Sequence, residues 1–136
     1  MKKRRIQKRA EKTAPLPKKS VLILEDNTDC SQTYAALVQS MNFMPIIAND
    51  GHLALNHIKD LRKLDLILLD IDLPRMNGIR FYNELQKSRR HKNAKVILTS
   101  SHPLSADIAI ALKLFGHVSK DKPLETLKSI VSKALT

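Results

Sequence analysis

Five polar side chains close short apolar runs in this chain. Glu25 and Asp26 end VLILED, Asp70 ends LDLILLD, Thr99 ends VILT and Lys120 ends HVSK. Three carboxylates brought together repel one another unless a cation sits among them, and a hard, all-oxygen set of this kind suits Mg²⁺. A carboxylate held beside a divalent metal, a lysine ammonium and a hydroxyl can attack a phosphoryl group, because its own charge and the incoming charge are both neutralised. If the fold assembles them, these residues describe an aspartyl-phosphate site.

The elements that must position them follow from hydropathy. Apolar runs alternate with amphipathic stretches, the pattern of a parallel sheet with helices on both faces. Strands are expected at 21–25, 43–48, 66–70, 95–99 and 117–120. Helices are expected from an N-cap at Asn27 to Met41, then at 51–63, 79–90, 105–115 and 124–134. Pro45 supplies no ladder donor and marks the second strand as an edge, whereas 66–70 is apolar without alternation and should be central. In a parallel sheet the C-terminal strand ends gather on one rim, where such folds bind ligands. Glu25, Asp26, Asp70, Thr99 and Lys120 all fall there.

A chain of 136 residues holds one domain. The apolar runs 21–24 and 66–69 are far shorter than the roughly 20 residues of a bilayer span, and no apolar stretch of secretory type follows the basic N-terminus. A single cysteine, Cys30, makes no internal disulfide, so a cysteine-stapled secreted scaffold is excluded and a cytoplasmic location is expected. The net charge of +11 arises from 24 Lys and Arg against 13 Asp and Glu. Nine of those bases lie in residues 1–19, with Glu11 as the one acid there. With few apolar side chains to bury, 1–19 is expected to be a flexible basic arm, and the domain to run over 20–136. The arm could bind nucleic-acid phosphates or an anionic membrane, or be a solvated tail.

Plainer roles stand beside the chemical ones. Glu25 and Asp26 could cap the first helix, Asp70 could cap a strand end, and Thr99 suits a strand by propensity. The five histidines share no metal-ligand spacing. Cys30 reads as a small helix residue, and Leu104, Ile108, Leu112 and Phe115 read as a core-facing helical stripe.

Residues 20–136 resemble the receiver domains of bacterial two-component response regulators. The resemblance is carried by VLILEDN, ANDGHLAL, LDLILLDIDLPRMNG, VILTS and VSKDKPLETL. It implies a flavodoxin-like, doubly wound α/β fold with five helices and a five-stranded parallel sheet in the order 2-1-3-4-5. It further implies that Asp70 is the phosphoacceptor. Mg²⁺ would be held by Asp26, Asp70 and the backbone carbonyl of Asp72, with Glu25 acting through water. Thr99 and Lys120 would bind the phosphoryl group. The implied function is that of a stand-alone receiver, a switch rather than an enzyme, with at most self-catalysed phosphorylation and dephosphorylation. The implied partners are a sensor histidine kinase or histidine phosphotransfer protein, a downstream protein, and a second copy in a phosphorylation-dependent homodimer. The alternative is a receiver-fold binding module acting through the basic arm on nucleic acid or an anionic membrane, with little or no phosphorylation.

Four features depart from the family pattern. His117 stands at the position of the switch aromatic, three residues before Lys120. Lys122-Pro123 imitates the family's Lys-Pro pair and so competes with Lys120, which the seven-residue spacing to Leu127 favours. Asp72 places an extra acid two residues beyond Asp70. The basic arm precedes the first strand, where most receivers begin almost directly.

Overall fold

A computed structural model describes residues 18–71, 78–103 and 112–136. Five strands, β1 (Ser20–Leu24), β2 (Met44–Ala48), β3 (Leu66–Asp70), β4 (Lys95–Ser100) and β5 (Gly116–Ser119), form one sheet in the order β2-β1-β3-β4-β5. All four strand pairings are parallel. β3 is central and fully buried, as its unbroken apolar run requires. β2, with Pro45, is an edge.

Four helices lie among the described residues: α1 (Thr28–Ser40), α2 (Gly51–Asp60), α3 (Gly78–Gln86) and α4 (Leu124–Leu135). Alternation along the strands divides the core in two. Leu22, Leu24, Ile67, Leu69, Val96 and Leu98 pack under α2 and α3 against Ala54, Ile58, Phe81, Tyr82 and Leu85. Val21, Ile23, Leu66, Leu68 and Ile97 pack under α1 and α4 against Leu37, Val38, Leu127 and Val131. Both faces are thus covered, as a doubly wound sheet demands.

Local signals set the helix starts. The Asn27 side chain accepts from the Cys30 amide at 2.8 Å, the N-cap expected from sequence. Asp50 caps α2 in the same way, accepting from Leu53 at 2.8 Å. Two helix ends come earlier than periodicity alone suggests. α2 stops at Asp60 and α3 at Gln86, where the loop after α3 locks onto the end of α2: the His91 ring meets the Ile58 carbonyl at 2.8 Å and Arg90 donates to the Leu61 carbonyl at 3.2 Å.

The helix expected over 105–115 falls largely on residues outside those described. Its last part, 112–115, is not helical. The Leu114 amide turns back to Leu112 at 2.9 Å and the Phe115 amide joins Val96 at 2.8 Å. Leu112 is buried as expected, but Phe115 is 40% exposed. The stripe assignment fails at Phe115 because the chain has already entered the sheet ladder, which rotates that side chain away from the helical face.

Candidate functional site

The sheet register aligns the reactive side chains. Leu24 pairs with Leu69, Asp70 with Thr99, and Ser100 with Ser119, so Glu25, Asp70, Thr99 and Lys120 arrive at one level. Backbone bonds carry the alignment past the strand ends. The Glu25 amide donates to Ala48 at 3.1 Å, Ile71 to Thr99 at 3.2 Å, and Lys120 to Ser100 at 2.9 Å.

Glu25 and Asp70 are buried, at 1% and 2% exposure, while Asp26 is exposed at the mouth. One carboxylate oxygen from each lies within 4.8 Å of the other two. The Lys120 ammonium bridges the buried pair, 2.8 Å from Glu25 Oε2 and 3.1 Å from Asp70 Oδ2. Glu25 Oε1 also accepts from the Asn27 amide at 3.2 Å. Burial, with Asp70 adding to it, pushes the Glu25 carboxyl above its ordinary range against the pull of Lys120. Burial would lower the Lys120 ammonium, but its hydrogen bonds to Glu25 and Asp70 outweigh that and hold it above its usual value.

An all-oxygen set with two desolvated acids and one solvent-facing acid fits a hard divalent cation. The adjoining cleft of about 280 Å³, lined by Glu25, Asp26, Thr28, Gln32 and Asn49, gives it access. Thr99 is buried, with its hydroxyl 3.5 Å from the Leu69 carbonyl. That separation is a weak bond at most, so the hydroxyl is not committed to the backbone.

The remaining sequence candidates fall elsewhere. Asp72 lies outside the described residues. His117 is exposed on β5, opposite Leu98. Lys122 is exposed and lines a groove of about 290 Å³ with Cys30, Tyr34 and Leu124, whereas it is Lys120 that reaches Asp70. Burial raises the Cys30 thiol above its ordinary value, which makes it a poor nucleophile. Sequence reasoning assigned Asn27 only a capping role, although its amide also holds Glu25. It gave no role to Gly78, which abuts Asp70, although a glycine opening a helix after a strand was the available signal.

Comparison with known proteins gives a consistent picture. Residues 21–132 match the family described as response regulator receiver domain. The transcriptional regulatory protein CpxR of Escherichia coli K12 is 29% identical over 76% of this chain and 42% of its own length. The Regulator of RpoS of the same organism is 30% identical over 87% of this chain and 34% of its own length. The chain therefore spans less than half the length of these relatives. Among solved structures, chemotaxis protein CheY4 of Vibrio cholerae superposes with a TM-score of 0.79 at 21% identity, over 87% of this chain and 99% of that one. The receiver domain of a sensor histidine kinase from Pseudomonas aeruginosa PAO1, described with a magnesium ion coordinated in its active-site cleft, gives 0.77 at 20% identity, over 87% and 98%. At such identities the likeness is one of fold.

Proposed function

Because this chain belongs to the response regulator receiver domain family, we propose that it is a cytoplasmic switch that accepts a phosphoryl group on Asp70 and signals by protein contact. The donor is a sensor histidine kinase or a histidine phosphotransfer protein. The observation that carries this reading is the buried Asp70 carboxylate, ion-paired to Lys120 and set within 4.8 Å of carboxylate oxygens of Glu25 and Asp26.

In the transfer, an Asp70 carboxylate oxygen forms the new P–O bond while the P–N bond to the donor imidazole breaks, and the imidazole keeps the electron pair. Glu25, Asp26 and Asp70, with the carbonyl of Asp72 expected from the resemblance, would hold Mg²⁺. Bound there, the ion supplies positive charge that offsets the acids and the incoming phosphoryl oxygens. Lys120 holds Asp70 in place beforehand and is poised to pair with a phosphoryl oxygen. Thr99, paired in register with Asp70, offers its hydroxyl to another. Once made, the adduct places new negative charge between β3, β4 and β5, and the energy of pairing it with Lys120 and Thr99 biases the packing of the surrounding surface. The grouping of Glu25, Asp26 and Asp70 with Lys120 supports this reading over a binding module that has lost phosphorylation.

The decisive experiment is incubation with acetyl phosphate, with and without Mg²⁺, on this chain and on Asp70→Asn. A metal-dependent, hydroxylamine-labile adduct that disappears in the variant is expected. No adduct on a folded sample at millimolar Mg²⁺, with a known receiver labelled in parallel, would overturn the reading.

A further inference from the structure

Bases outnumber acids at the rim opposite the site just described, where Asp65 is already bonded to the Ser20 amide and paired with Lys63. There, where the strands begin, Arg62, Arg89, Arg90, Lys92, Lys95 and Lys113 are all exposed. Between the loop preceding β4 and the segment preceding β5 lies a groove of about 340 Å³, lined by Gln86, Lys92, Asn93, Lys95, Lys113 and Phe115 among others, with no carboxylate among the described lining residues. Its walls are tied down: the Tyr82 hydroxyl accepts from the Lys113 amide at 3.0 Å, and Phe115 is bonded to Val96. Lys95 donates to the Ala134 carbonyl at 2.7 Å and holds its ammonium 5.2 Å from the centre of the Phe115 ring. Lys92 and Lys113 have no ion-pair partner among the described residues.

We propose that this groove binds single-stranded nucleic acid, with a base against Phe115 and flanking phosphates on Lys92 and Lys113. Three observations point to that ligand. First, an exposed aromatic ring set among ammoniums combines the two contacts by which single strands are held, stacking and phosphate pairing. Second, Gln86 and Asn93 line the same groove and offer amide donors and acceptors suited to base edges, and a flat bilayer cannot enter a recess. Third, the basic sequence of residues 1–19 joins the domain at this rim. Lys19 donates to the Leu135 carbonyl at 2.7 Å, next to the Ala134 carbonyl that Lys95 occupies, so the last base of that sequence stands at the groove's own rim. This surface lies at the end of the sheet opposite Asp70, and its occupation does not depend on phosphorylation chemistry.

The test is fluorescence anisotropy of labelled oligothymidylate and oligouridylate of about 15 nucleotides with the full chain, from about 50 to 200 mM salt. Binding with a steep salt slope is expected. Phe115→Leu should weaken it roughly tenfold with the slope unchanged, since stacking releases no counterions. The Lys92→Gln, Lys113→Gln double variant should lower the slope of log K against log salt by about 1.4, two single-strand phosphate contacts. The lysine pair is exposed, so its variant reports even if Phe115→Leu loses its fold. The proposal is overturned if binding is absent, or if folded variants bind as the parent does, which would leave residues 1–19 as the sole contact. It is equally overturned if poly-glutamate competes as well as the oligonucleotide charge for charge, or if anionic vesicles are bound and oligonucleotides are not.

Discussion

Gly78 lies so close to Asp70 that a Cβ on it would stand 2.9 Å from the Asp70 carbonyl oxygen and 3.0 Å from Ile71 Cα. The first residue of α3 is thus laid on the strand end that carries the central carboxylate, and its amide donates to the Ile71 carbonyl at 3.2 Å. Both obstacles are backbone, which cannot swing aside as a side chain can. Gly78→Ala should cost about 1–3 kcal/mol, the usual penalty of forced overpacking, and should slow phosphoryl uptake by displacing Asp70. Urea unfolding and acetyl phosphate labelling read the two effects; a variant unchanged in both would show that the strand end tolerates the shift.

Lys120 is the cation between two buried carboxylates, so its loss is felt in stability as well as in chemistry. Lys120→Gln should cost about 3 kcal/mol at neutral pH, near the low end for breaking a buried pair, because Lys120 keeps 20% exposure. Without the pull of Lys120, the Glu25 carboxyl, already raised by burial, would rise further above its unfolded value, so the variant's deficit should shrink as the solution is acidified. Lys122→Gln, at an exposed position, should leave stability within about 0.5 kcal/mol and labelling intact. Reversal of the two phenotypes would assign the site lysine to Lys122.

Asp26 separates metal binding from folding, since it is the exposed member of the acid cluster. Mg²⁺ should raise the thermal midpoint of the parent in a concentration-dependent way, as any ligand of the native state does. Asp26→Asn should keep the midpoint measured without metal to within about 0.5 kcal/mol of stability but lose most of the Mg²⁺-induced rise. A full rise in the variant would remove Asp26 from the ligand set.

Tyr34 gives a pH signature independent of phosphorylation. Burial, with the Cys30 hydrogen bond adding to it, raises its phenol well above the ordinary tyrosine range. The native state therefore resists ionisation that the unfolded chain undergoes near pH 10. Stability from this group is present below that pH and is lost as pH rises beyond it, at up to about 1.4 kcal/mol per pH unit. Tyr34→Phe should flatten the fall in stability above pH 10. Denaturant melts across that range check it, and an unaltered slope would mean that another group governs alkaline unfolding.

The strand sequence, the edge position of β2 and the interior position of β3 were legible in the residues, because burial on two faces leaves an unbroken apolar run, as in β1 and β3, and proline excludes a central ladder. The acids, Thr99 and Lys120 were legible as a group for the same reason: parallel strands must present their C-terminal ends together. Helix ends were not. α2 and α3 stop where His91 and Arg90 claim the Ile58 carbonyl in the last turn of α2 and the Leu61 carbonyl just past it, contacts between residues about 30 positions apart that no local pattern records. Nor did periodicity show that Phe115 faces outward, since the ladder bond to Val96 fixes its direction. The bridging of Glu25 and Asp70 by one ammonium, the abutment of Gly78 on Asp70, and the grouping of Lys92, Lys95 and Lys113 around Phe115 likewise belong to the tertiary structure alone. Sequence specifies which groups reach a rim; distances, burial and the choice of partner among several charges arise only when packed elements fix side chains in three dimensions.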